Sequence, residues 1–147
     1  MKRIARSAIV EHSAARMYAL VEAIEAYPQF LPWCREARVL ERTAERTVAT
    51  LTVGVKGVRY AFTTENRNRP PGEIELQLRE GPFRHFSARW RFDALGPRAA
   101  RIGFEMEYAF SGPLVSRALG PMFERIADTM VDAFKRRADA TDAPAAS

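Results

Sequence analysis

Proton transfer or nucleophilic attack in this chain would fall to His12, His85 and Cys34, its two histidines and single cysteine. The histidines lie far apart in sequence. His85 falls in an alternating stretch whose apolar members Phe86, Ala88, Trp90 and Phe92 take the opposite side. It is therefore expected on an outer sheet face, out of reach of a buried substrate. His12 borders a helix and is expected at the surface. Cys34 has no neighbouring His or Asp to hold a thiolate, and is expected as a small buried hydrophobe. No HExxH and no paired cysteines offer metal-ligand spacing, so no metal and no covalent cofactor are expected. The residues thus read as those of a binding protein and not an enzyme.

Non-covalent chemistry is better provided for. The stretch AYPQFLPWC, residues 26–34, holds three large aromatics, two prolines and the cysteine. Tyr27, Phe30 and Trp33 recur every three residues, so a helical or 3₁₀ turn puts them on one side. A single turn cannot bury three aromatic rings within itself. It must lie across a larger apolar surface.

The 23 Lys and Arg against 18 Asp and Glu give a net charge of +5, which favours acidic partners such as RNA, ribosomes or an anionic leaflet. The loose basic set Arg35, Arg38, Arg42 and Arg46, with Arg67, Arg69 and the run Lys135, Arg136, Arg137, offers candidate ribosome or membrane contacts. The same residues also read as a solvated face. No motif for sequence-specific DNA recognition is present. No apolar run approaches a signal-peptide core or a membrane span, so a cytoplasmic protein is expected, with the inner-membrane surface as a peripheral site.

The elements that would position these residues follow from periodicity. Arg3 to Val10 reads as a strand, and Ser13 as the N-cap of a helix to about Glu25 with Ala14, Met17, Tyr18, Val21 and Ile24 as its stripe. From Arg35 to Phe110 the period is two, broken by turns at Lys56-Gly57, Pro70-Pro71-Gly72, Gly81-Pro82 and Gly96-Pro97. A hairpin between the last two strands would set Arg89 and Arg91 beside Glu105 and Glu107. Ser111-Gly112-Pro113 opens a long helix to about Asp139. The inner sheet face would carry Tyr60, Phe62, Phe86, Trp90, Phe92, Phe104, Tyr108 and Phe110. The architecture expected is α+β: about six to seven antiparallel strands curled around one long C-terminal helix, with two short N-terminal helices. Residues 1–139 form one expected domain and 140–147 a flexible tail.

The AYPQFLPWC stretch after an amphipathic helix, EGPF at Glu80 to Phe83, and Trp90-Arg91-Phe92 together resemble the coenzyme Q-binding, RatA-like branch of the START-like helix-grip family within the polyketide cyclase/dehydrase superfamily. The resemblance covers roughly residues 3–138. It implies an apolar cavity between sheet and helix that holds ubiquinone (coenzyme Q) or another apolar lipid in support of respiration. Tyr27, Phe30, Leu31 and Trp33 would roof that cavity. Val53, Tyr60, Phe62, Phe83, Phe86, Trp90, Phe104, Met106, Met122, Phe123 and Met130 would line it. The same resemblance implies, as the alternative, a toxin that binds the large ribosomal subunit and hinders subunit joining, and, as a minor one, a cyclase or dehydratase enzyme. Relatives often carry an acidic residue near the end of the first helix, where this chain has Ala23.

Overall fold

The computed structural model describes residues 1–55 and 57–141. Lys56 of the expected hairpin turn, and residues 142–147 of the expected tail, lie outside the described residues. The element order is β1 (Lys2–Val10), α1 (Ala14–Glu22), a 3₁₀ turn (Ile24–Gln29), β2 (Cys34–Arg42), β3 (Arg46–Val55), β4 (Val58–Arg69), β5 (Glu73–Glu80), β6 (Phe83–Gly96), β7 (Ala99–Phe110) and α2 (Pro113–Thr141). The strands form one antiparallel sheet in the order β1-β7-β6-β5-β4-β3-β2, with α2 packed against it. This is the expected α+β helix grip.

Ser13 caps α1 by accepting a 3.1 Å hydrogen bond from the Arg16 backbone N–H. Met17, Tyr18 and Val21 are buried on one side, as the stripe predicts. The helix stops at Glu22, three residues before the expected end, and tightens into the 3₁₀ turn. Pro28 explains the difference. It supplies no N–H, and it disfavours α geometry at the residue before it, Tyr27.

The sheet separates two chemistries by strict alternation. Its outer face is a lattice of arginine and glutamate. Arg89 stands opposite Glu105 at 3.8 Å and reaches Glu73 and Glu75 at 3.6 Å. The register sets Arg91 opposite Gly103 and Glu107 opposite Ser87, so of the expected group only Arg89 and Glu105 stand directly opposite one another. Arg3 of β1 takes Glu107 instead, at 2.7 Å. Glu65 accepts from both Arg46 and Arg79 at 2.9 Å, and those bonds hold its carboxyl down to about 2. The inner face buries Phe62, Phe86, Trp90, Phe92, Phe104, Tyr108 and Phe110. The EGPF corner depends on Gly81: its φ is +155°, and a Cβ there would lie 2.6 Å from Phe62 Cβ.

Helix α2 has 29 residues, about 44 Å of rise, and runs two residues past the expected end, taking in residues 140 and 141 of the expected tail. It buries Leu119, Phe123, Ile126, Val131 and Phe134. The helix runs on through Gly120-Pro121, where one hydrogen bond is lost because Pro121 cannot donate to the carbonyl of Arg117. The C-terminal end is tied down. Arg16 Nη2 donates to the Ala138 carbonyl at 3.1 Å and to Thr141 Oγ1 at 2.9 Å. His12 Nε2 lies 2.7 Å from Asp139 Oδ1. His12, expected at the surface, is only 5% exposed, because the last turns of α2 cover it.

Candidate functional site

The space between sheet and α2 is closed by residues from seven elements. Tyr27 of the 3₁₀ turn and Trp33 just after it form the roof. Leu51 and Val53 of β3, Phe62 and Thr64 of β4, and Leu76 of β5 form one wall. Phe86, Trp90, Phe104 and Met106 form the floor, and Phe123, Ile126, Ala127, Met130 and Phe134 of α2 form the other wall. Tyr27, Trp33, Val53, Phe62, Phe86, Trp90, Phe104, Met106, Phe123 and Met130 were expected here, and the fold brings them together.

The other expected residues lie elsewhere. Phe30 packs edge-on against Tyr27 and Phe134 (centroids 6.2 and 5.1 Å), with the Arg137 guanidinium 4.9 Å over its ring. Leu31 is fully buried in the core behind the roof. Phe83 stacks on Phe110 at 4.9 Å, beyond the end of the hollow. Tyr60 stacks on Phe62 at 6.3 Å, and Met122 packs part-buried against the core; neither lines the hollow. The spacing of three carries Tyr27 and Phe30 onto one side, but the chain leaves the turn at Phe30, which diverts that ring to α2. Phe134 was missed as a lining residue. It touches Tyr27, Phe30 and Trp90 at once, and its place in the α2 stripe was the only signal for it.

The enclosed volume is about 60 Å³. Sites for drug-sized ligands run roughly 300–1,000 Å³. The expected hollow is present and apolar, but far smaller than the isoprene-sized space anticipated: the large rings of both walls interlock across it. Its polar groups are few. The Tyr27 hydroxyl donates to the Val21 carbonyl, and burial pushes its pKa far up. Thr64 is the other hydroxyl on the lining; Cys34, outside it, is buried, donates weakly to the Glu36 carbonyl at 3.6 Å and has its thiol pushed up to about 11 by burial. Such groups hold position and exclude water, but do not exchange protons near neutral pH. Among the described residues, no three His, Cys, Asp or Glu side chains gather as metal ligands.

A second, smaller crevice of about 20 Å³ adjoins the first under α1. The two share Tyr27, Leu76 and Trp90. The crevice is lined also by Thr47, Asn66 and Asn68, all buried on the inner face, and by Glu22 at its rim. Glu22 is paired with Arg42 at 2.9 Å. Sequence reading missed these buried amides because TTENRNR carries no apolar residue to mark an inner side.

The basic set divides. Arg42 is held by Glu22 and Glu25, Arg46 by Glu41 and Glu65, Arg69 by Glu73 and Glu75, Arg136 by Asp132, and Arg137 by Gln29. Arg38 stands 3.9 Å from Glu36. Lys135 is half-buried. Among the described residues, Arg35 and Arg67 are exposed and make no ion pair, and the same holds for Arg91, Arg98 and Arg101 around the β6–β7 hairpin, which sequence reading did not single out.

Residues 10–135 match the family described as polyketide cyclase/dehydrase and lipid transport. The chain is 42% identical over 135 residues to the ribosome association toxin RatA of Pseudomonas aeruginosa, covering 92% of this chain and 94% of that one. It is 28% identical over 143 residues to the mitochondrial coenzyme Q-binding protein COQ10 homolog B of Xenopus laevis, covering 93% of this chain and 59% of that one. In structure it resembles the Zhui aromatase/cyclase of Streptomyces sp. R1128, with a TM-score of 0.86 at 17% identity over 99% of this chain and 98% of that one, a likeness of fold alone.

Proposed function

The chain belongs to the polyketide cyclase/dehydrase and lipid transport family, and within it we propose a non-catalytic protein that associates with the large ribosomal subunit and hinders subunit joining. The observation that carries this reading is the 42% identity, over almost the full length of both chains, to a relative named as a ribosome association toxin. The charge supports it: among the described residues several exposed arginines make no ion pair, which suits phosphate contact. The scarcity of proton-exchanging groups around the cavity supports a binding role over catalysis. Sedimentation of cell extracts through sucrose tests the proposal. The protein should travel with large subunits at low salt and leave them steeply as salt rises, and its overproduction should deplete joined ribosomes. Recovery only in the free fraction at low salt would overturn it.

The apolar hollow beneath Tyr27 and Trp33 favours a second reading, in which the grip holds a ubiquinone-like or other long apolar lipid. A relative named as coenzyme Q-binding supports it. With about 60 Å³ enclosed, such a guest requires α2 to move away from the sheet. Desolvating its tail would then favour binding by about 25 cal/mol per Å² of apolar surface, before ordering costs. Protein purified from a quinone-making host should yield quinone into organic solvent near one per chain. Consistent absence at that stoichiometry removes this reading and leaves the ribosomal one standing.

A further inference from the structure

On the inner face of β4, Thr64, Asn66 and Asn68 follow the apolar Phe62 at every second position. Asn66 and Asn68 are 6% and 5% exposed, and Thr47, opposite Asn66 in the register, is 1% exposed. Their mutual bonds use only half of their capacity. Thr64 Oγ1 donates to Asn66 Oδ1 at 2.9 Å, and Asn68 Nδ2 donates to Thr47 Oγ1 at 3.0 Å. Among the described residues nothing accepts from the Asn66 amide nitrogen and nothing donates to the Asn68 carbonyl oxygen. Both atoms keep a little accessible surface, which leaves room for each to meet a small polar group. Both side chains line the crevice that shares Tyr27, Leu76 and Trp90 with the apolar cavity. Thr64 lines the cavity itself, so its bond to Asn66 links the two spaces.

We infer that this crevice is the head-group end of the cavity, and that the ligand class is a lipid with an uncharged oxygen-bearing head, a quinone, quinol or isoprenoid alcohol. This rests on the second reading above. The Asn66 amide supplies a donor for a carbonyl or ether oxygen, and the Asn68 carbonyl an acceptor for a hydroxyl. The head must be neutral because the charges beside it are already matched: Glu22 is held by Arg42, and Arg42 is shared with Glu25. A carboxylate or phosphate head would enter without a free cation, and burying an unpaired anion is strongly unfavourable. The crevice as it stands has room for about one water, so the head displaces that volume as the grip widens.

Equilibrium dialysis of the full chain against a short-chain ubiquinone, farnesane and palmitate tests this. Wild type should bind the quinone at least about tenfold more tightly than farnesane, and palmitate no better than farnesane. Asn66→Leu should remove about tenfold from the quinone affinity, the ~1.4 kcal/mol of one buried hydrogen bond, and leave farnesane unchanged. Thr47→Val, which deletes one hydroxyl and keeps the shape, should weaken quinone binding in the same selective way, and serves if the leucine variant does not fold. Farnesane bound as tightly as quinone, palmitate bound as tightly as quinone, or variants that lose both neutral probes equally would overturn the head-group assignment and spare the cavity reading. No binding of any probe to folded wild type would overturn both.

Discussion

Phe134 is fully buried and meets Tyr27 at 5.4 Å, Phe30 at 5.1 Å and Trp90 at 5.2 Å, all near edge-on. It joins the roof to the sheet through α2. Phe134→Ala should therefore lower stability by about 3–5 kcal/mol in equilibrium denaturation, toward the upper end because the rings around it are anchored in three elements. A loss below about 1 kcal/mol would mean that the roof does not depend on this ring. At this scale the sequence was informative where a residue's neighbours are close in the chain. Tyr27 and Trp33 were legible from their spacing. His12 was not, since its burial comes from Asp139, more than a hundred residues away. Asn66 and Asn68 were not legible either, because polar residues on both sides of a strand erase the sign of its inner face.

Among the elements, strand alternation and turn chemistry were plain in the sequence, and the order of helices and strands follows them. The register was less so. Arg89 faces Glu105 because the bulge between Ala94 and Gly96 shifts the two strands by one residue, which also leaves Arg91 opposite Gly103. The corner from β5 to β6 is more sharply determined. Gly81 combines a positive φ with a backbone approach that leaves no room for a methyl group against Phe62. Gly81→Ala should cost roughly 1–3 kcal/mol and disturb the edge-on contact of Phe62 with Phe83 and its tilted contact with Phe86, visible as a fall in the denaturation midpoint. An unchanged midpoint would show that the corner relaxes without strain.

For the molecule as a whole, charge total and charge placement say different things. The net charge of +5 was legible from composition, but most of the arginines first considered as contacts are engaged by neighbouring carboxylates, which only the folded register brings within reach. Arg91, Arg98 and Arg101 remain available together at one end of the sheet. Replacing all three with glutamine should flatten the salt dependence of ribosome association, by about one in log–log slope for each phosphate no longer neutralised, without altering thermal stability. An unchanged slope would move the docking surface elsewhere, to Arg35 and Arg67 in the first instance. Cavity size was beyond sequence reading for a related reason: the same aromatic residues can line a void or interlock across it, and here they interlock.

Helix α2 is fastened unequally. Asp139, Ala138 and Thr141 tie its far end to His12 and Arg16, whereas the stretch before Pro121 buries little besides Leu119 and leaves Leu114 78% exposed. A rod hinged at one extremity and notched near the other yields at the notch. The α2 residues that wall the cavity, Phe123 to Phe134, all follow Pro121, so the grip keeps its wall on the tied portion of the helix and its sparsely packed turns outside.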